Sequence, residues 1–352
     1  MKHFSIVWYL IVCSSAWNLA TYDDTGLHFI TNNNDYDIVH VSLFYVRSFL
    51  TIRSRGNSTD HQITIIESTW PENLLPIQSR VFPNDLSYAK TQSNCNGIVK
   101  TMQTAVDRKN GLLWLLDNGS KYCIPKLIVF DLLRGNNEVH RYVFKRLKCD
   151  SLKSIQLYAK EGIEYALILL HRSRFLIQYS MSSIRPKKLT LIIPTRNGGA
   201  YDVLIPAEIT MKGDDELVIS DYSNGLWFAN LNKIKHNIRN KDIELFVEVK
   251  YLGSLLGNAK ALTVPPVFDD ETNQYLYYYL PRDGAVLRWN FRFPLQAEGH
   301  EVLYFAKSSI VQIVFGAKGS VWIVYEHADE LGDHCRRILN FLPFNGSRLL
   351  LS

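Results

Sequence analysis

Four times along this chain a polar turn closes on Gly and runs straight into a short apolar strand carrying Trp. The fullest copy is AVDRKNGLLWLLDNG (105–119), and the others are DYSNGLWFANL (221–231), PRDGAVLRWNF (281–291) and GAKGSVWIVYEH (316–327). EYALILLHRSRFLIQYSM (164–181) has the same two-strand shape without the Trp. A hairpin phrase that recurs over a whole chain constrains the fold more than any single motif. It marks an architecture assembled from copies of one supersecondary unit.

The segments between these copies read as strands too. HVSLFYVRSFLTI (40–52), KLIVFDL (126–132), ELVISDY (216–222), YLYYYL (275–280) and VWIVYE (321–326) are short, rich in Val, Ile, Leu and Tyr, and bounded by Gly, Asn, Asp or Pro. Helical periodicity is scarce. NLNKIKHNIRN (230–240) is polar and short, and is expected to be a loop with one helical turn. Repeated four-stranded units of roughly 40–50 residues point to a β-propeller, a closed all-β single domain, over a pair of β-sandwiches. Divided by that period, the chain beyond residue 16 gives roughly six to eight blades.

The N-terminus MKHFSIVWYLIVCSSAWNLA has the form of a secretory signal. Lys2 and His3 precede a ten-residue apolar run, Phe4–Cys13, and Ser14 and Ala16 place small side chains before a cut after Ala16. Ten residues are too few to span about 30 Å of hydrocarbon. The expectation is therefore a secreted, extracellular chain, residues 17–352, with no membrane span. Cys13 leaves with the signal, and Cys95, Cys123, Cys149 and Cys335 remain in an oxidising compartment. Four cysteines allow three pairings. Asn57, Asn118 and Asn345 each begin a glycosylation sequon. A formal net charge of +5, with no Lys/Arg block longer than a tripeptide, argues against a nucleic-acid binder.

Motifs for chemistry are sparse. No G-x-S-x-G, Walker loop or H-E-x-x-H occurs. EHADELGDHC (326–335) is dense in metal-binding side chains, but His327 and His334 lack the short paired spacing of zinc sites. A solvated loop is expected there, with no metal and no cofactor elsewhere. Asp214-Asp215 reads as a solvated turn and NGGA (197–200) as a hairpin.

SFLTIRSRGNSTDHQITII (48–66), WPENLLPIQSR (70–80), NCNGIVKTMQTAVDRKNGLLWLLDNGS (94–120) and CIPKLIVFDL (123–132), in this order, resemble the yellow/major royal jelly protein family of insects. LVISDYSNGLWFANL (217–231) and AVLRWN (285–290) continue the likeness, which extends from about residue 39 to about 340. The resemblance implies a secreted propeller of six blades. It also implies roles in pigmentation, cuticle or reproductive secretions, and binding of biogenic amines or catechols at the axial mouth. A dopachrome-converting, tautomerase-like activity is the alternative. Lys109 stands where the family keeps a cysteine, and KEGIEY (160–165) lacks the next one. Joint loss of these two implies that Cys95 and Cys123 are the surviving bridge, closing a loop that stabilises by about 3 kcal/mol. Cys149 and Cys335 have no counterparts, and pairing with each other or burial as thiols are both open. Arg53-Ser54-Arg55 and the trimmed length are further departures.

An aromatic ligand wants ring faces and a few acceptors, and a cationic amine adds a cation–π contact. RWNF supplies the candidates: Trp289, Asn290 and Phe291, with Trp289 more readily read as a core copy of the repeat Trp. No residue of suitable type and spacing stands out as a base. Binding without turnover is therefore the expected function, of a small aromatic amine or catechol.

Overall fold

The structure is a computed structural model. It describes residues 36–340 apart from 56–62, 71–78, 85–86, 90–93, 184, 195–200, 240–241, 267–273, 317–319 and 328–334. Residues 1–16, where a signal is expected, and the sequons at Asn57 and Asn345 lie outside the described residues.

The fold is an all-β propeller built from successive antiparallel meanders. The first comprises Tyr36–Phe44, Arg47–Ser54, Ile65–Thr69 and Ser79–Val81, and the second Thr101–Asp107, Leu112–Asp117, Lys126–Asp131 and Asn137–Val143. The third comprises Leu152–Lys160, Ile163–Leu170, Leu176–Tyr179 and Lys187–Pro194. The fourth contains Pro206–Lys212, Glu216–Asp221, Gly225–Asn230 and the end of the long strand Asp242–Ser254. Lys260–Thr263, Tyr275–Leu280, Ala285–Asn290 and His300–Phe305 follow, then Ile310–Phe315, Ser320–Tyr325 and Cys335–Asn340. First strands touch first strands from one meander to the next, and Ile310–Phe315 returns to Tyr36–Phe44 to close the ring. No helix among the described residues is long and apolar enough to cross a membrane.

Packing between meanders explains why GLLWLL is apolar throughout instead of alternating. Leu113 and Leu115 face the first meander's core, with Ile128 and Phe130. Trp114 and Leu116 face the third meander's Ile155 and Ile168. Both faces of the strand are buried, so every position is apolar. The turns flanking it use short polar side chains. Asp107 Oδ1 accepts from the backbone N–H of Lys109 and Asn110, both at 3.0 Å, and Gly111 takes φ +67°. That left-handed conformation is the one Gly adopts without a Cβ penalty.

Segment 230–240 differs from its sequence reading. Only Leu231–Lys233 is a 3₁₀ turn, and Lys235–Arg239 is a strand paired with the start of Asp242–Ser254. That long strand also runs parallel to Lys187–Pro194, fusing the third and fourth meanders into one ten-stranded sheet. The polar segment is a strand because it pairs with the residues that follow it, Arg239 opposite Asp242 and Lys235 opposite Phe246.

Each first strand has an irregularity in its pairing near its beginning: at Val39, Met102, Lys153, Ala207, Ala261–Leu262 and Val311. A bulge twists a strand and re-aims the adjacent side chains. Here several polar side chains beside the bulge reach the neighbouring first strand. The ring closure is the clearest case: Gln312 Oε1 accepts from Val41 N at 2.7 Å, while its Nε2 donates to Val41 O at 3.0 Å. Gln312→Leu orphans both backbone groups of buried Val41 and is expected to cost about 2 kcal/mol in urea unfolding. A loss near zero would show that the ring closes without this clamp.

Candidate functional site

Several polar side chains of the first strands hold neighbouring meanders together. His40 Nε2 donates to Thr104 O at 2.8 Å, its Nδ1 faces Gln103 Nε2 at 3.3 Å, and Gln103 Oε1 accepts from Ile155 N at 2.8 Å. Burial pushes the His40 imidazole down to about 4, the Thr104 carbonyl opposing, so the ring is neutral and this tautomer fits its partners. Lys153 Nζ donates to Ala207 O, and Glu208 Oε2 accepts from Leu262 N at 3.2 Å. Burial raises the Glu208 carboxyl and lowers the Lys153 ammonium, each opposed by the other's charge. These groups span five adjacent first strands.

Toward the opposite ends of the first strands, the carboxyl of Glu164 is pushed up to about 7. Burial is the larger cause, Asp107 and Asp214 add to it, and Lys109 opposes. A carboxyl whose pKa rises on folding costs stability as pH climbs from its ordinary value through about 7, because the unfolded chain ionises first. Glu164→Gln should therefore stabilise the chain by about 1–2 kcal/mol near pH 8 and leave it unchanged near pH 4. A gain equal at both pH values would contradict this origin.

The residues chosen from sequence do not form an axial pocket. Trp289 is 3% exposed and packs with Leu276 and Leu287, its Nε1 facing Pro294 O at 3.3 Å. It is core. Asn290 Oδ1 accepts from Arg292 N at 2.8 Å and shapes the turn. Phe291 meets Trp289 edge-on at 5.0 Å and lies beneath Lys212 Nζ at 5.2 Å. All three come from the third strand of their meander or the turn after it, away from the first strands that surround the axis.

Asn118 is also corrected. It is 1% exposed, its Nδ2 donates to Leu152 O at 3.0 Å and its Oδ1 accepts from Leu152 N at 2.9 Å. A sugar on that nitrogen has no room in this fold. Cys95 and Cys123 are joined, with Cα atoms 5.1 Å apart. Cys149 is exposed and Cys335 is buried in the first meander's core, and they are not joined to each other. Asp215 Oδ2 accepts from Asn232 Nδ2 at 2.6 Å, a turn role as expected, and 197–200 lies outside the described residues. Of the 326–335 cluster, His327 Nδ1 contacts Asp37 Oδ1 at 2.7 Å, and 328–334 lies outside the described residues.

Among the described residues, an open groove lies off the axis, where Asp242–Ser254 leaves one meander for the next. Up to Glu248 this strand pairs with Lys187–Pro194, and from Val249 onward with Gly225–Asn230. A groove of about 810 Å³ opens at the fork, with Ile193 and Pro194 on one wall and Trp227, Tyr251 and Asp221 on the other. Trp227 and Tyr251 are cross-strand partners whose ring centroids lie 4.8 Å apart at 55°. Tyr251 is half exposed.

Local sequence sets this wall. Asp221 Oδ1 accepts from Ser223 N at 2.7 Å and Gly225 N at 2.8 Å, the same aspartate-led turn as at Asp107. Its Oδ2 accepts from Trp227 Nε1 at 2.7 Å, which fixes the indole. Gly225 leaves room for this pair, since a Cβ there would sit 2.4 Å from Asp221 Oδ2 and 2.8 Å from Trp227 Nε1. The result is a pre-organised aromatic wall beside a carboxylate, in a cavity of ligand-binding size. Sequence reading took Trp227 as another repeat Trp. Its one distinguishing signal is the opposite strand's Lys250-Tyr251, whose register with Trp227 is set only by the folded sheet.

The sequence matches no protein-family model and no curated protein. Solved structures similar to it include Kluyveromyces lactis Hsv2, at 7% identity over 82% of this chain and 72% of that chain, TM-score 0.42. Another is the β-propeller domain of Myceliophteria thermophila Cps50 (Swd1), at 10% identity over 82% of this chain and 94% of that chain, TM-score 0.48.

Proposed function

We propose that this chain is a secreted six-bladed propeller of the yellow/major royal jelly type that binds a small aromatic ligand, a catechol or biogenic amine, without turning it over. Meanders among the described residues whose first strands touch in succession, the last returning to the first, support a count of six blades. The observation that carries the binding reading is the Asp221–Trp227–Tyr251 wall. Two aromatic faces and apolar Ile193 and Pro194 suit a flat ring, and the Asp221 carboxylate suits an ammonium held against those faces. His40, Gln103, Lys153 and Glu208 of the first strands bond to neighbouring strands, which favours this seat over the axial mouth.

Calorimetric titration with serotonin, dopamine and octopamine tests the reading, together with dopachrome decay against a heat-killed control. Saturable binding of at least one amine with no acceleration of dopachrome decay is the expected result. Silence for all three amines would overturn the binding reading. Accelerated decay would favour the enzymatic alternative of the same family.

A further inference from the structure

Three stretches at one end of the second and third meanders form a single surface. Segments 118–125, 144–151 and 171–175 are tied by Phe144 N→Pro125 O at 2.9 Å, Leu152 N→Asn118 Oδ1 at 2.9 Å and His171 N→Ser151 O at 2.9 Å. Together they expose Lys121, Lys145, Arg146, Lys148, Arg172 and Arg174. Their one carboxylate, Asp150, is engaged by Lys100 at 2.6 Å. The six cations therefore lack a compensating acid within these segments.

Out of this basic ground stand two apolar side chains, Tyr122 at 59% and Ile124 at 44% exposure. Their loop is braced. Cys123 is joined to Cys95, and Ser120 and Cys123 exchange backbone bonds at 2.9 and 3.2 Å. Behind them, buried Lys126 donates to Cys95 O at 2.8 Å and Gly97 O at 2.5 Å. A loop pinned at its base cannot readily fold Tyr122 and Ile124 inward. Apolar tips fixed outward within a ring of cations suit an interface that is greasy below and negative above.

We propose that this surface docks the protein peripherally on an anionic lipid membrane. Tyr122 and Ile124 enter the boundary between headgroups and acyl chains, and the six cations engage lipid phosphates and carboxylates. Each cation near such a surface contributes about a five-fold gain in affinity. A soluble polyanion would use the cations but leave the two apolar tips without a role. This surface is separate from the groove at Trp227, and neither reading depends on the other.

Co-sedimentation of the full chain with vesicles of phosphatidylcholine, alone or with phosphatidylserine, provides the test. Binding is expected only where phosphatidylserine is present, and it weakens as salt rises. Tyr122→Ala with Ile124→Ala should weaken vesicle binding about ten-fold while leaving heparin affinity unchanged. Lys145→Glu with Arg146→Glu and Lys148→Glu should weaken vesicle binding by about a hundred-fold or more. These side chains are exposed, and an unchanged thermal midpoint verifies that each variant folds. Equal binding to both vesicle types, or none to either, overturns the proposal. Vesicle binding indifferent to Tyr122 and Ile124 alongside strong heparin binding also overturns it, in favour of a soluble polyanion.

Discussion

Asp117→Ala is expected to lower the unfolding free energy by about 3–5 kcal/mol, the largest loss from any single substitution considered for this chain. Asp117 is 0% exposed and its partner Lys126 is 1% exposed. The carboxylate accepts from the backbone N–H groups of Val99 at 2.8 Å, Lys100 at 2.9 Å and Gly119 at 2.8 Å, and lies 3.3 Å from Lys126 Nζ. Alanine leaves three donors without their acceptor and an ammonium in the core without its countercharge. Burial already lowers the Lys126 pKa, with Asp117 the main opposing influence, so removing Asp117 drives it further down. Replacing both, Asp117→Asn with Lys126→Met, should recover part of the loss because no buried charge remains. Urea unfolding measures both. A loss below about 1 kcal/mol for Asp117→Ala would mean that water or a rearranged loop solvates Lys126.

Removing the bridge with Cys95→Ser and Cys123→Ser is expected to cost about 3 kcal/mol, from the freedom regained by the unfolded chain across a separation of 28 residues. The two losses should not add. Cys95 O is an acceptor for Lys126 Nζ, so each change loosens the segment that the other relies on. A double-mutant cycle is expected to show a coupling of about 1 kcal/mol. Strict additivity would show that the 94–100 segment holds its place without the bridge.

Repetition makes the architecture readable in the sequence. The Gly-Leu-Leu-Trp-Leu-Leu run is apolar at every position because Leu113 and Trp114 pack on different neighbours, and that pattern is written in one dimension. The aspartate-led turns at Asp107 and Asp221 are local in sequence and could be recognised as turns there. The groove at the fork could not. It depends on Asp242–Ser254 changing partners between Glu248 and Val249, a long-range register that leaves no local trace. The sequence favours core for Trp289 yet keeps it as a site candidate because four copies of the repeat share Trp, and only burial separates the core copies from the partly open Trp227. The sequon at Asn118 misled for a similar reason. The Asn-Gly-Ser letters fit a glycosylation site, yet the amide is committed to Leu152 in the next meander.

Binding at the Trp227–Tyr251 wall is tested most directly by the share of the intrinsic fluorescence that Trp227→Phe removes from this seven-Trp chain. Titrating dopamine into the intact chain should quench emission to saturation, and Tyr251→Ala should shift that curve to about ten-fold higher concentration. A flat titration, or a saturable one that Tyr251→Ala leaves in place, would contradict a ligand seated between Trp227, Tyr251 and Asp221.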